Sequence, residues 1–122
     1  MNVGLKKYDS AINFYQIILE KFKPKDLRTE MYLAKAYYRK GDFEKSKEIT
    51  LSLLSLYPNV IPLKYNLALC LYQQADGLFS LETRRAYQTR EAINYLRHSH
   101  KLFAWVQAQY QYQFKYISHQ DL

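Results

Sequence analysis

Glycine and proline, the residues that interrupt helices most readily, are almost absent from this sequence. The 122 residues contain three of each, and none of either lies in residues 79–122. Pro24, Gly41-Asp42 and Pro58 divide the earlier part into segments of helix length. An all-β sandwich needs many turns, and turns draw on these residue types. The distribution therefore predicts an all-α chain with a long helical C-terminal part.

The apolar residues between these breaks recur three and four positions apart, which is the spacing of one helix face. No segment shows the strict alternation of a half-buried strand. The two longest apolar series are Tyr8, Ala11, Ile12, Tyr15, Ile18, Leu19 and Phe22 in the first segment, and Ala92, Leu96, Ser99, Phe103, Val106, Tyr110, Phe114 and Ile117 in the last.

Composition excludes several classes of protein. Hydrophobic residues make up 48% and charged residues 24%, which is typical of a globular chain and not of a disordered one. A single cysteine cannot form a disulfide framework, and no apolar run is long enough to predict a membrane span. The net charge of +7 favours acidic partners or nucleic acid. The densest local group of cations is Arg84, Arg85, Arg90, Arg97 and Lys101.

Residues 27–60 resemble a tetratricopeptide repeat: a helix, a turn at Gly41-Asp42, a second helix and a Pro-Asn end. Five positions carry the resemblance, namely Leu33, Ala34, Tyr37, Gly41 and Pro58. Ala34 is small enough to let a neighbouring helix approach, Tyr37 fills the adjacent groove, and Gly41 permits a tight turn. We therefore predict helical hairpins of an α-solenoid.

The same period organises the rest of the chain. Residues 1–26 are interpreted as the second helix of a truncated repeat, so the chain looks like a piece of a longer solenoid. Residues 61–106 form a further repeat with an insertion near 77–90, and residues 107–122 form a capping helix. The first helix of that further repeat is marked by Asn66, Leu67 and Ala68.

A more specific resemblance covers roughly residues 5–106. The sequence is similar to the last repeats of the tetratricopeptide-repeat scaffold subunit of the Paf complex, an elongation assembly associated with RNA polymerase II. The matching features are Leu33-Ala34-x-Ala36, Gly41, Asn66-x-Ala68-Leu69, the helix through Ala75, Ala92-Ile93-x-x-Leu96 and His100-Lys101-x-Phe103. Residues 107–122 match poorly. The resemblance implies a nuclear, non-enzymatic scaffold that links elongating polymerase to histone modification, with protein subunits as its partners.

By the same resemblance, set positions of each first helix line a partner-binding groove. They correspond to Arg28, Met31, Lys35, Tyr38 and Arg39 in one repeat, and to Pro62, Tyr65, Leu69, Tyr72 and Gln73 in the next. The groove we predict rests on Arg28, Lys35, Tyr38, Arg39, Tyr65, Leu69 and Tyr72. Cations beside tyrosines suit an acidic or aromatic segment. The alternative is that these side chains only pack against a neighbouring helix of the chain.

No enzymatic or metal-binding pattern emerges from the sequence. The phosphate-binding and nucleophile-elbow motifs are absent. His98 and His100 are two residues apart on a helix and point to different faces. We expect His98 to be exposed and His100 to be a packed or capping side chain. Cys70 lies in an apolar helix and is expected to be a buried structural thiol. We predict no cofactor, no metal and no membrane contact.

Two other functions remain open at this stage. A basic helical repeat could bind RNA or DNA through the Arg84–Lys101 cluster, and the QAQYQYQFKY segment could stack bases as an alternative to capping. An unrelated tetratricopeptide adaptor, such as a co-chaperone, is the second alternative. That alternative is weakened because Asn66 alone lies where a paired Lys/Asn clamp would need its residues.

Overall fold

The computed structural model describes the backbone of residues 3–120 and the side chains of residues 6–112. Within residues 3–120 the chain is helical and contains no strand. The helices are α1 (Val3–Ile17), which continues through a π-helical turn (Ile18–Phe22), α2 (Leu27–Lys40), α3 (Phe43–Leu56), α4 (Ile61–Phe79) and α5 (Ala86–Gln120). The predicted all-α fold with a long C-terminal helix is confirmed.

The helices fall into two compact units. The N-terminal unit comprises residues 1–58 and the C-terminal unit residues 59–122. In the N-terminal unit, α2 packs against both α1 and α3. In the C-terminal unit, α4 and α5 form an antiparallel hairpin.

The ends of α2 are determined by the residues at its boundaries. Asp26 is the N-cap, and its carboxylate accepts hydrogen bonds from the Thr29 backbone N–H at 3.1 Å and the Thr29 hydroxyl at 2.7 Å. These two bonds lower the pKa of Asp26, the hydroxyl contributing most. At the other end Gly41 has φ +99°, a left-handed conformation that strains residues with a Cβ. The predicted role of Gly41 in the turn is confirmed.

Equivalent hydrogen bonds join the two helices in each of the hairpins α2–α3 and α4–α5. The Ser46 hydroxyl on α3 donates to the carbonyl of Ala34 on α2 at 2.7 Å, and the Ser99 hydroxyl on α5 donates to the carbonyl of Ala68 on α4 at 2.8 Å. Both serines are fully buried. Ala34 therefore lies at close range to the second helix of its hairpin, as predicted. The pairing also fixes Ser99 as the counterpart of Ser46.

Each unit has its own apolar interior. In the N-terminal unit Ile12, Leu33 and Ala36 are buried, and Tyr37 packs against them while its hydroxyl accepts a hydrogen bond from Gln16 at 3.2 Å. In the C-terminal unit the buried apolar residues are Leu63, Leu67, Ala68, Cys70, Leu71, Ala75, Ala92 and Val106. Cys70 is completely buried, which confirms the prediction of a structural thiol.

A short connection links α4 to α5. Helix α4 extends to Phe79, so much of the extra length predicted near 77–90 is helical and only residues 80–85 form the link. The Arg84 guanidinium donates to the Phe79 carbonyl at 2.6 Å and to the Thr89 hydroxyl at 3.3 Å. Arg84 therefore joins the end of α4 to the start of α5.

The C-terminal helix departs from expectation at one residue. His100 is exposed and lies in the interior of α5, so the prediction that it is a packed or capping side chain is wrong. It lies off the α5 face that carries buried Ser99 and Val106. Helix α5 runs through Gln120 without a break at residue 107. Tyr110 is exposed, and the side chains of Phe114 and Ile117 lie outside the described residues. The capping helix stays a prediction.

Candidate partner-binding surfaces

The exposed face of α2 carries three of the four predicted groove residues of the N-terminal unit. Arg28, Lys35 and Arg39 are spaced i, i+7 and i+11, which places them on one side of a helix. All three are exposed. The opposite side of α2 holds buried Leu33, so the cations point away from the core.

Tyr32 also lies on this face and was missed by the sequence reasoning. Its side chain is 46% exposed, and its ring stacks on Tyr15 of α1 with the ring centres 5.8 Å apart. The 4-3-4 spacing of Arg28, Tyr32, Lys35 and Arg39 could have revealed it, because such residues follow one helix face.

Tyr38 lies at the edge of the surface and not at its centre. It is half-buried, and its ring packs on Phe43, the first residue of α3, with the ring centres 5.1 Å apart. Tyr38 therefore contributes to the α2–α3 hairpin as well as to any surface that a partner would contact. Met31, on the same helix, is also half-buried.

Helix α4 presents the second predicted set. Tyr65 and Tyr72 are each 46% exposed and are separated by two helical turns, with half-buried Leu69 between them. The Tyr65 ring meets Phe103 of α5 edge to face, with the ring centres 5.8 Å apart. The three residues share one face of α4, and their role in binding a partner stays a prediction.

The charge on the α2 face is available to a partner. Lys40 is paired with Asp9 of α1 at 2.7 Å, and this hydrogen bond raises the pKa of Lys40. Arg28, Lys35 and Arg39, in contrast, form no ion pair with any other residue that the structure describes. Exposed cations that are already solvated contribute little to stability, so these three residues are not needed to stabilise the fold.

The α2 face and the α4 face belong to different compact units. Their union into one groove stays a prediction. The remaining predicted repeat positions lie where a hairpin needs them: Leu67 and Ala68 are buried, the Asn66 amide lies 3.9 Å from the Cys70 sulfur, and Pro58 follows the end of α3.

Neither a group of metal ligands nor a membrane-spanning helix is found in the described part of the chain. Among residues 6–112 no three His, Cys, Asp or Glu side chains lie together as a possible metal site. Every buried side-chain nitrogen and oxygen in this part of the chain has a hydrogen-bond partner. None of the described helices has the length and apolarity to cross a bilayer.

Comparison with known proteins agrees with this geometry. The sequence profile of the tetratricopeptide repeat family matches residues 29–59, which hold nearly all of α2, the Gly41 turn and α3. The predicted fold of tetratricopeptide-type hairpins is therefore confirmed. The RNA polymerase-associated protein CTR9 of Caenorhabditis elegans is 29% identical over 103 residues, or 83% of this chain. The chain spans only 9% of the length of that relative. No solved structure gives a significant match.

Proposed function

We propose that this chain is a non-enzymatic protein-interaction scaffold of the Paf elongation complex, acting in the nucleus beside RNA polymerase II. The observation that carries the proposal is the pair of helix faces on the two units. One presents exposed cations beside tyrosine, and the other presents two tyrosines around a leucine.

These two faces have the composition of protein-binding sites. Interface energy concentrates in a few aromatic and arginine residues. Tyr65 and Tyr72 offer rigid apolar surface with a polar tip, and Arg28 and Arg39 offer forked donors for carboxylates. We infer that the α2 face binds a segment with acidic residues and that the α4 face binds apolar residues.

The similarity to CTR9 supports the finer part of the proposal. It extends over 83% of the chain, beyond the residues 29–59 that match the repeat profile. The matched region includes helices of both units, so it is not limited to the most regular repeat. RNA polymerase II, histone-modifying factors and the other Paf subunits are accordingly the proposed partner class.

Co-purification tests this function. Tagged protein carrying the chain is expressed in cells of its own species, and the proteins that it retains are identified by mass spectrometry. Recovery of polymerase-associated elongation subunits, reduced by Tyr65→Ala with Tyr72→Ala, is the expected result. Recovery of chaperones in place of elongation subunits would favour the unrelated adaptor and reject the proposal.

A further inference from the structure

Helix α5 carries a row of cations on the side that faces away from α4. Arg90, Arg97 and Lys101 are spaced i, i+7 and i+11 and are all exposed. Ala92, Ser99 and Val106, which are buried, mark the opposite side of the helix. The three cations are therefore aligned along the helix axis within about 17 Å, at a rise of 1.5 Å per residue.

No acidic side chain neutralises this row. The only acidic residue of α5 is Glu91, and its carboxylate accepts a hydrogen bond from the Tyr95 hydroxyl at 3.0 Å. None of the three cations forms an ion pair with a residue that the structure describes, whereas the N-terminal unit has three such pairs. The row presents an uncompensated positive field along a regular helix.

Aromatic rings continue the same line in both directions. The full set, which we name the α5 stripe, consists of Tyr87, Arg90, Asn94, Arg97, Lys101, Trp105, Ala108 and Tyr112. Tyr87 and Tyr112 at its ends are 53% and 69% exposed. Trp105 lies at the edge of the stripe that is nearer to α4: it is half-buried, and the Lys64 ammonium of α4 lies over one face of its ring, 3.8 Å from the ring centre. The stripe is about 38 Å long at the rise of an α-helix.

We propose that the α5 stripe binds single-stranded nucleic acid. Cations that follow the phosphate backbone and rings that stack on bases are the two components of such sites. The cations occupy the centre of the stripe and the rings its flanks, so a strand lying along the stripe would meet cations with its phosphates and rings with its bases. A duplex keeps its base faces inside its own stack, so Tyr87, Trp105 and Tyr112 would have nothing to stack on. This binding is separate from the scaffold function and uses none of its residues.

A variant that lacks three charges of the stripe tests the proposal. Its binding to labelled oligo(U) and oligo(dT) is measured by fluorescence anisotropy. We expect Arg90→Gln/Arg97→Gln/Lys101→Gln to lower affinity about tenfold or more. It should also reduce the slope of log affinity against log salt by about 2, because each phosphate contact to a single strand contributes about 0.7. The matched control is Lys6→Gln/Lys7→Gln/Lys21→Gln, which removes the same charge from exposed positions of α1 and of the π-helical turn that follows it. The control should change affinity less than about threefold.

The aromatic part has its own readout, because Trp105 is the only tryptophan of the chain. Either probe should quench its fluorescence on binding. Tyr87→Ala with Tyr112→Ala should weaken binding about tenfold while leaving the salt slope unchanged, since stacking is not electrostatic. Binding to either probe with these properties supports the proposal. Equal losses in the two charge variants, or unchanged Trp105 fluorescence, would overturn it, and so would equal displacement of the probes by polyglutamate.

Discussion

At the scale of single residues, the close approach of the paired helices depends on a small residue facing a buried serine. Ala34 and Ala68 each accept a hydrogen bond from a buried serine of the partner helix, at 2.7 Å and 2.8 Å. The role of Ala34 could be predicted from its position in the repeat. The role of Ser99 could not, because the link between helices places it 31 residues after Ala68, far from the 12 that separate Ala34 from Ser46.

Enlarging the side chain at this contact should destabilise the N-terminal unit. Ala34 is 2% exposed, so Ala34→Leu would overpack the α2–α3 contact and lower the free energy of unfolding by about 1–3 kcal/mol. Denaturant unfolding measures the change. Lys35→Leu, at an exposed neighbouring position, is the control and should stay within about 0.5 kcal/mol. Equal stability of the Ala34→Leu variant and the unmodified chain would contradict the assigned register.

The N-cap residue Asp26 makes the stability of the folded chain depend on pH. The hydrogen bonds from Thr29 lower the pKa of Asp26 in the folded chain. The carboxylate therefore contributes fully to stability at pH values above the pKa that Asp26 has in the unfolded chain. That contribution disappears as the pH falls through the lower pKa that Asp26 has in the folded chain. Asp26→Ala should therefore lower Tm near neutral pH, and the difference from the unmodified chain should shrink below about pH 4.

Asp26→Asn is the matched control, because its side-chain oxygen can still accept the Thr29 N–H but cannot titrate in this range. The Tm of Asp26→Asn at neutral pH should lie above that of Asp26→Ala. A gap between the alanine variant and the unmodified chain that stays constant down to pH 2 would show that the carboxylate charge is not involved.

At the scale of elements, the positions of the helices could be predicted from the glycine and proline residues and from the spacing of the apolar residues. The backbone geometry of α1 could not be predicted in this way. Its π-helical turn at Ile18–Phe22 adds one residue to the register without any glycine or proline to mark it. Such turns depend on how the helix packs. The exposed Tyr32 was missed for a related reason, since an aromatic on a helix is usually assigned to the core.

Exposed apolar side chains on α1 and on the π-helical turn that follows it predict that the chain self-associates. Phe14, Ile17 and Phe22 are 60%, 47% and 73% exposed, and contiguous apolar surface promotes contact between molecules. We expect the sedimentation coefficient of the chain to rise with concentration, and Phe14→Ser with Ile17→Ser to remove most of that rise. Leu51→Ser, at a residue 47% exposed on α3, is the control. A chain that stays monomeric at every concentration would contradict the expectation.

At the scale of the whole molecule, two helical units each carry one face that we propose for a partner. The sequence predicted most residues of both faces, because a helix places i, i+4 and i+7 on one side whatever surrounds it. The sequence could not predict that the Tyr38 ring packs against Phe43, because that contact depends on how the turn places α3 against α2. It also grouped Arg84 with Arg90 and Arg97, although Arg84 is engaged with Phe79 and Thr89.

Site-specific photo-crosslinking tests the central claim, that the α2 and α4 faces hold a protein partner, most directly. A photoreactive amino acid replaces Tyr32, Tyr65 or Tyr72 in the protein as expressed in cells, and Leu51 serves as an exposed control position. We expect crosslinks from the three tyrosine positions to subunits associated with RNA polymerase II, and none to those subunits from position 51. Crosslinks to such subunits from position 51 alone, or from none of the four positions, would contradict it.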